Sequence, residues 1–199
     1  VSAASRWRCV YPIVVAAQIV LGLQTIHSRQ IDTREAAVIS IGSIHGGVRH
    51  NIIPQEVELI GTIRTHSPEV RLDIKERINR VATSIAASAG AVATVSYGFG
   101  VPVAVNDAHL VKLMVPILAR IAGSNAVQRQ PPVMGYEDFA YFEQQVPGMF
   151  VSLGARPPNI LQSDAAPNHS PNFIIDESAL MLGVRTLASL ALDYLHEVP

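Results

Sequence analysis

Two helical stripes bracket two strand-like runs between residues 12 and 88, and a third strand-like run follows; that order leaves few folds open. Val15, Ile19, Leu23 and Ile26 recur at spacings of four, four and three, with Pro12 where a first turn tolerates it, which predicts a helix over 12–27. Ala37–Ile44 and Val57–Thr65 are rich in β-branched residues. In the second, Val57, Leu59, Gly61 and Ile63 alternate with Glu58, Ile60, Thr62 and Arg64, as adjacent strands with one buried face do. Ser67-Pro68-Glu69 starts a second helix, whose stripe of Val70, Ile74, Ile78, Val81 and Ile85 runs to a stop at Gly90. Val92–Tyr97 reads as another strand. Helix, strand, strand, helix, strand is a ferredoxin-like α/β sandwich lacking only its opening strand, which residues 1–8 are expected to supply.

The pattern changes after Gly98-Phe99-Gly100-Val101-Pro102, a domain boundary that divides the chain into residues 1–100 and 101–199. Asn106 or Asp107 caps a helix reaching Gly123, with Pro116 expected to kink it. A short helix to Gln145 and a buried strand over Met149–Leu153 follow. Loop chemistry occupies 154–172. The last helix starts at Asp176-Glu177 and carries Leu180, Val184, Leu187, Ala191 and Tyr194 at spacings of four, three, four and three. Residues 101–199 are short of sheet to cover that stripe, so this half is expected to pack on structure outside the chain.

Charge excludes some partners. With 15 Lys+Arg against 16 Asp+Glu in 199 residues, the net charge of -1 gives no footprint for nucleic acid. The longest apolar run, Ile13–Leu23, is too short and too polar to span a bilayer. One cysteine, Cys9, cannot form an internal disulfide, so a soluble protein of the reducing cytoplasm is expected.

No phosphate loop, Gly-x-Ser-x-Gly elbow, His-Glu-x-x-His helix or Cys-x-x-Cys is present, so candidate chemistry lies on loops. His50-Asn51 sits in the glycine-flanked stretch 46–54 and offers two polar groups to a ligand, or serves as an ordinary turn. Arg64 at the end of its strand has the guanidinium to clamp a carboxylate bidentately, or is a solvent-facing edge residue. Glu137 faces a cleft or caps the helix it begins. His169 is a metal ligand or a loop histidine bonded to backbone; a ligand needs companions.

These loops, in this order, resemble the amidohydrolase branch of the M20 metallopeptidase family, which includes hippurate, indole-acetyl-amino-acid and N-acyl-amino-acid hydrolases. The resemblance rests on Pro12-Ile13-Val14-Val15-Ala16-Ala17-Gln18-Ile19-Val20-Leu21, where Tyr11 replaces the usual Asp, and on Gly46-Gly47-Val48-Arg49-His50-Asn51-Ile52-Ile53-Pro54. It continues through Gly61-Thr62-Ile63-Arg64-Thr65, Met134-Gly135-Tyr136-Glu137-Asp138-Phe139 and His169-Ser170-Pro171-Asn172-Phe173.

The resemblance implies a zinc-peptidase-like catalytic domain interrupted by a ferredoxin-like lid used for dimerisation. Residues 1–100 are then the lid and 101–199 the C-terminal part of the catalytic domain. His169 matches the final metal ligand, Glu137 an acidic position lining the active site, and His50, Asn51 and Arg64 lid positions that face substrate. The implied activity is hydrolysis of an N-acyl amino acid with a divalent metal, Zn or else Mn, Co or Ni, by a homodimer. In the family a cysteine, further histidines, a ligand glutamate and the general-base glutamate precede the lid. The sequence contains none of those segments, and Cys9 is not the metal cysteine. This chain alone is therefore expected to bind no stoichiometric metal and to be inactive. The alternative is a non-catalytic dimerisation or binding module derived from the lid.

Overall fold

A computed structural model describes residues 9–197. The strand expected from residues 1–8 lies outside the described residues. Two compact units form: residues 9–103 with Met134–Tyr136, and Ala104–Val133 with residues 137–197.

In the first unit, helix α1 (Pro12–Thr25) opens on Pro12 at its first turn and passes into a wider π-helical turn over Ile26–Gln30. The Thr25 and Ser28 hydroxyls there donate back to the Gly22 and Gln24 carbonyls, so local side-chain bonds compete with the regular ladder and end it two residues before the expected stop. Strands β1 (Ala37–His45) and β2 (Glu58–Thr65) pair antiparallel, with Ile39 opposite Ile63 and Val38 opposite Arg64. The register slips by one between Ile41 and Ser43, a bulge at Gly42. Helix α2 (Pro68–Ser88) is capped by Ser67, whose Oγ accepts from the Val70 amide at 3.1 Å.

The core of this unit follows the predicted stripe on α1 and shares Ile74 and Ile78 with the one on α2, where Ala82 and Ala86 are buried and Val70, Val81 and Ile85 only partly so. Val15, Ile19, Leu23 and Ile26 are all buried, with Ala37 and Ile39 from β1 and Ile74, Ile78, Ala82 and Ala86 from α2. Leu59 and Ile63 of β2 pack partly against them, which puts both helices on one face of the sheet. Ile26 and Ile74 are fully buried, each contributing about 1.5–3 kcal/mol relative to exposure.

Among the described residues no strand forms over Val92–Tyr97. Ala91, Ala93 and Val95 pack against the core while Val92 is 94% exposed, so the period-2 pattern is real. A strand also needs a hydrogen-bonded neighbour, and among the described residues none pairs with this segment. The described sheet therefore has two strands.

The second unit contains helices α3 (Ala108–Ala122), α4 (Ala140–Glu143) and α5 (Ser178–Glu197). Asp107 caps α3, its carboxylate accepting from the Leu110 amide at 2.8 Å, and the helix runs through Pro116. Arg120 and Asp193 form an ion pair between α3 and α5. The short helix expected up to Gln145 closes at Glu143. Met149–Leu153, expected as a buried strand, is irregular and Phe150, Val151 and Leu153 are exposed. Here a side chain replaces a strand: Asn106 Nδ2 donates to the Phe150 carbonyl and its Oδ1 accepts from the Phe150 amide.

Buried apolar residues are few in this unit, Met114 and Ala140 among those described. The stripe on α5 faces solvent, with Leu180 54%, Val184 64% and Leu187 67% exposed. By length and composition alone Ser178–His196 would cross a membrane, but Arg185 lies near its middle, where a cation costs about 2.5–3.5 kcal/mol.

Candidate functional site

His50 and Asn51 are the central pair of a tight turn, closed by the Ile52 amide donating to the Arg49 carbonyl at 3.2 Å. Gly47 holds φ at 88°, a left-handed conformation that glycine enters without strain, and buried Ile53 anchors the far side of the loop. Both polar side chains are exposed. The pair thus forms a turn that presents both groups outward.

Arg64 is half-buried near the end of β2, on the face away from Ile63. Its Nη1 donates to the Met134 carbonyl at 2.6 Å, and its guanidinium carbon lies 4.8 Å from the Tyr136 ring centroid. Neither partner is an acid. Among the described residues Arg64 forms no salt bridge, whereas Arg34, Arg77 and Arg120 each have an aspartate. A half-buried cation without a counter-ion is a ready partner for an anion. Sequence reading identified Arg64 but missed its holders; the Gly135-Tyr136-Glu137 run marks the segment without indicating which strand it meets.

Glu137 begins the turn into α4. Its Oε1 accepts from the Phe139 amide at 3.1 Å and its carbonyl accepts from the Ala140 amide at 3.3 Å, which ties the half-buried carboxylate to the turn that leads into α4. Asp138 beside it is exposed.

His169 occupies the third position of a turn in which the Ser170 amide donates to the Pro167 carbonyl at 3.2 Å. Its φ is 72°, and among the described residues it is the one non-glycine with positive φ. Such a turn favours Gly or Asn at that position, and a histidine there carries strain. A second turn, Ser170–Phe173, follows directly, and Ser170 Oγ accepts from the Asn172 amide at 3.2 Å. Together they hold an exposed imidazole. Asn168 and Asn172, on either side, line an open concavity of about 510 Å³ with Leu153, Ile160 and Phe173.

The structure brings Arg64 to Met134 and Tyr136, and places Glu137 and His169 in the second unit. Among the described residues no three His, Cys, Asp or Glu side chains gather in a way that could hold a metal ion. A catalytic zinc takes about three protein ligands and a water. One imidazole on one turn does not fit a complete metal site, and no step through a metal follows from these residues.

Helices on one face of a small antiparallel sheet, with a strained imidazole and an unneutralised arginine on loops and a strand end, define an α/β protein whose reactive groups sit outside its core. Peptidase family M20/M25/M40 matches residues 11–193, and the chain belongs to that family. It is 38% identical over 184 residues to thermostable carboxypeptidase 2 of Saccharolobus solfataricus, covering 92% of this chain and 46% of that protein. N-acetylcysteine deacetylase of Bacillus subtilis is 34% identical over 187 residues, covering 94% and 47%. A solved dinuclear metal binding peptidase from the M20 family of Bacillus subtilis superposes with a TM-score of 0.72 at 31% identity, over 94% of this chain and 47% of that one. The chain thus spans about half the length of the relatives it matches.

Proposed function

We propose that the whole protein hydrolyses the amide bond of N-acyl amino acids or related conjugates with a divalent metal, zinc or else manganese, cobalt or nickel. In this reading residues 1–100 are a ferredoxin-like lid and 101–199 the C-terminal part of the catalytic domain. The helix, strand, strand, helix order and the alternating packing of 91–95 support the lid. The two compact units and the exposed α5 stripe support the division, the stripe being the face that docks on the remainder of the catalytic domain. Arg64 takes the substrate carboxylate. His50 and Asn51 offer hydrogen bonds to the acyl amide, and Glu137 lines the site. His169 gives one imidazole to the metal, the other ligands coming from outside this chain.

The observation that carries this reading is the φ of 72° at His169, since strain is kept where an orientation is needed. A deacetylase among the relatives supports the substrate class. The protein works as a homodimer through the lid, in the reducing cytoplasm. Support comes from a β1–β2 sheet whose outer edges are unpaired among the described residues, and from a single cysteine. This chain alone is inactive.

The test measures amino acid released from N-acetyl-L-leucine, with zinc present, by this chain alone and by this chain joined to the unmatched half of the Bacillus deacetylase. No release alone, release when joined, and loss of that release in His169→Ala is the expected result. Turnover by the isolated chain overturns its inactivity, and a joined enzyme indifferent to His169→Ala overturns the ligand role.

A second reading, a binding or dimerisation module without catalysis, is favoured by the core, whose main cluster lies wholly within the first unit. It predicts a stable dimer of this chain whose joined form hydrolyses nothing.

A further inference from the structure

We propose that Tyr136 is a positioning residue that holds Arg64 for a carboxylate-bearing ligand, an inference that rests on the reading of Arg64 as the substrate clamp. A free arginine side chain samples many rotamers and must lose that freedom to bind an anion with two parallel hydrogen bonds. Arg64 has already lost much of it. The Met134 carbonyl fixes Nη1 at 2.6 Å, and the guanidinium carbon lies over the Tyr136 ring, 4.8 Å from its centroid.

These two contacts use the guanidinium selectively. A carbonyl takes one donor and a ring face takes none, so the Nε and Nη2 edge keeps the parallel pair of N–H groups that matches a carboxylate. That edge makes no hydrogen bond among the described residues, and no acid there neutralises the charge. Held as it is, the group suits the carboxylate of an N-acyl amino acid better than its amide or ester.

The test follows the Arg64 Nε–H and Tyr136 ring resonances of this chain during titration with N-acetyl-L-leucine and, separately, N-acetyl-L-leucinamide. The acid is expected to shift both saturably and the amide neither. Tyr136→Phe, which keeps a π face, retains the wild-type Kd. Tyr136→Leu, which keeps apolar bulk without that face, and Tyr136→Ala both weaken binding about three- to fivefold. Unchanged backbone spectra of β1 and β2 show that the variants remain folded. Wild-type affinity in Tyr136→Leu and Tyr136→Ala, or a Tyr136→Phe as weak as Tyr136→Ala, overturns the positioning role. Wild-type affinity in Arg64→Lys, or no response of wild-type protein to the acid, overturns the reading of Arg64 itself.

Discussion

Asn106 pairs with both backbone groups of Phe150, donating from Nδ2 to its carbonyl at 2.9 Å and accepting from its amide at Oδ1 at 2.8 Å. One side chain thereby does what a neighbouring strand would do. The Asp107 amide donates to the Gly148 carbonyl at 2.8 Å, and Glu143 Oε2 accepts from the Val105 amide at 2.8 Å, so the entry to α3 is laced to the end of α4 and to the segment 148–150.

Asn106→Ala removes both bonds and is expected to cost about 1 kcal/mol, with faster hydrogen exchange at the Phe150 amide. Asn106→Asp keeps the acceptor but sets a carboxylate oxygen against the Phe150 carbonyl. It should destabilise at least as much at neutral pH while leaving more protection at that amide than Ala does. Exchange rates and urea midpoints of the two variants check the order.

His169→Gly separates strain from chemistry. The left-handed conformation costs a side-chain-bearing residue about 1–2 kcal/mol, and glycine gives back about 0.5–1 kcal/mol through unfolded-state entropy. A net gain of about 0.5–1 kcal/mol is expected, absent in His169→Ala, which keeps a Cβ at φ 72°. Urea denaturation of the three proteins decides it, and equal stability of Gly and Ala variants would show that the turn carries no strain.

Acid should weaken the start of α2. A hydrogen bond from Ser67 Oγ to Glu69 Oε2, 2.7 Å long, is the main reason the Glu69 carboxyl lies below its usual value of 4.5. Because the folded state holds the proton less tightly than the unfolded state, the stabilisation is present above the ordinary glutamate range. It is lost as pH falls through the lower folded value. Ser67→Ala removes that cause and the cap on Val70 together, costing about 1 kcal/mol at neutral pH and flattening this part of the acid limb. Helicity followed between pH 7 and pH 2 measures both.

Two glycines with close neighbours should respond differently to alanine. At Gly61 a Cβ would lie 2.5 Å from the Ser40 backbone oxygen, which cannot yield without moving β1. At Gly22 it would lie 2.6 Å from Ile85 Cδ1, the far end of a flexible side chain, and the gain in helix propensity is about 1 kcal/mol. Gly61→Ala is expected to cost about 1–3 kcal/mol and Gly22→Ala to fall within about 1 kcal/mol of wild type. Thermal midpoints that reverse this order would contradict the packing of β1 on β2.

The first unit was legible where one period determines both structure and burial. Val15, Ile19, Leu23 and Ile26 form a stripe that needs no distant information to be read as a buried face, and all four are buried. Met149–Leu153 has the composition of a strand, but pairing is a property of two segments, and Phe150 finds its partner in the side chain of Asn106. Among the candidate residues, the types at 50, 51, 64, 137 and 169 could be chosen from chemistry and resemblance. The contact of Arg64 with Tyr136 joins residues far apart in sequence, and no local period encodes it. The left-handed backbone of His169 was equally hidden, because the usual marker of that conformation is glycine.

The α5 stripe offers the sharpest check on the division of the chain. If Leu187 lies in a core, Leu187→Glu buries a charge and costs several kcal/mol. If it lies on a face that this chain leaves open, as its 67% exposure has it, the change stays within about 0.5 kcal/mol and lowers self-association in sedimentation velocity. Met114→Ala in α3, where the side chain is buried, supplies the contrast at about 2–5 kcal/mol. Joined to the rest of the catalytic domain, Leu187→Glu should become as damaging as Met114→Ala, because the same face is then covered. A large loss in the isolated chain would mean that α5 is already buried there, leaving no open face for the remainder of the fold.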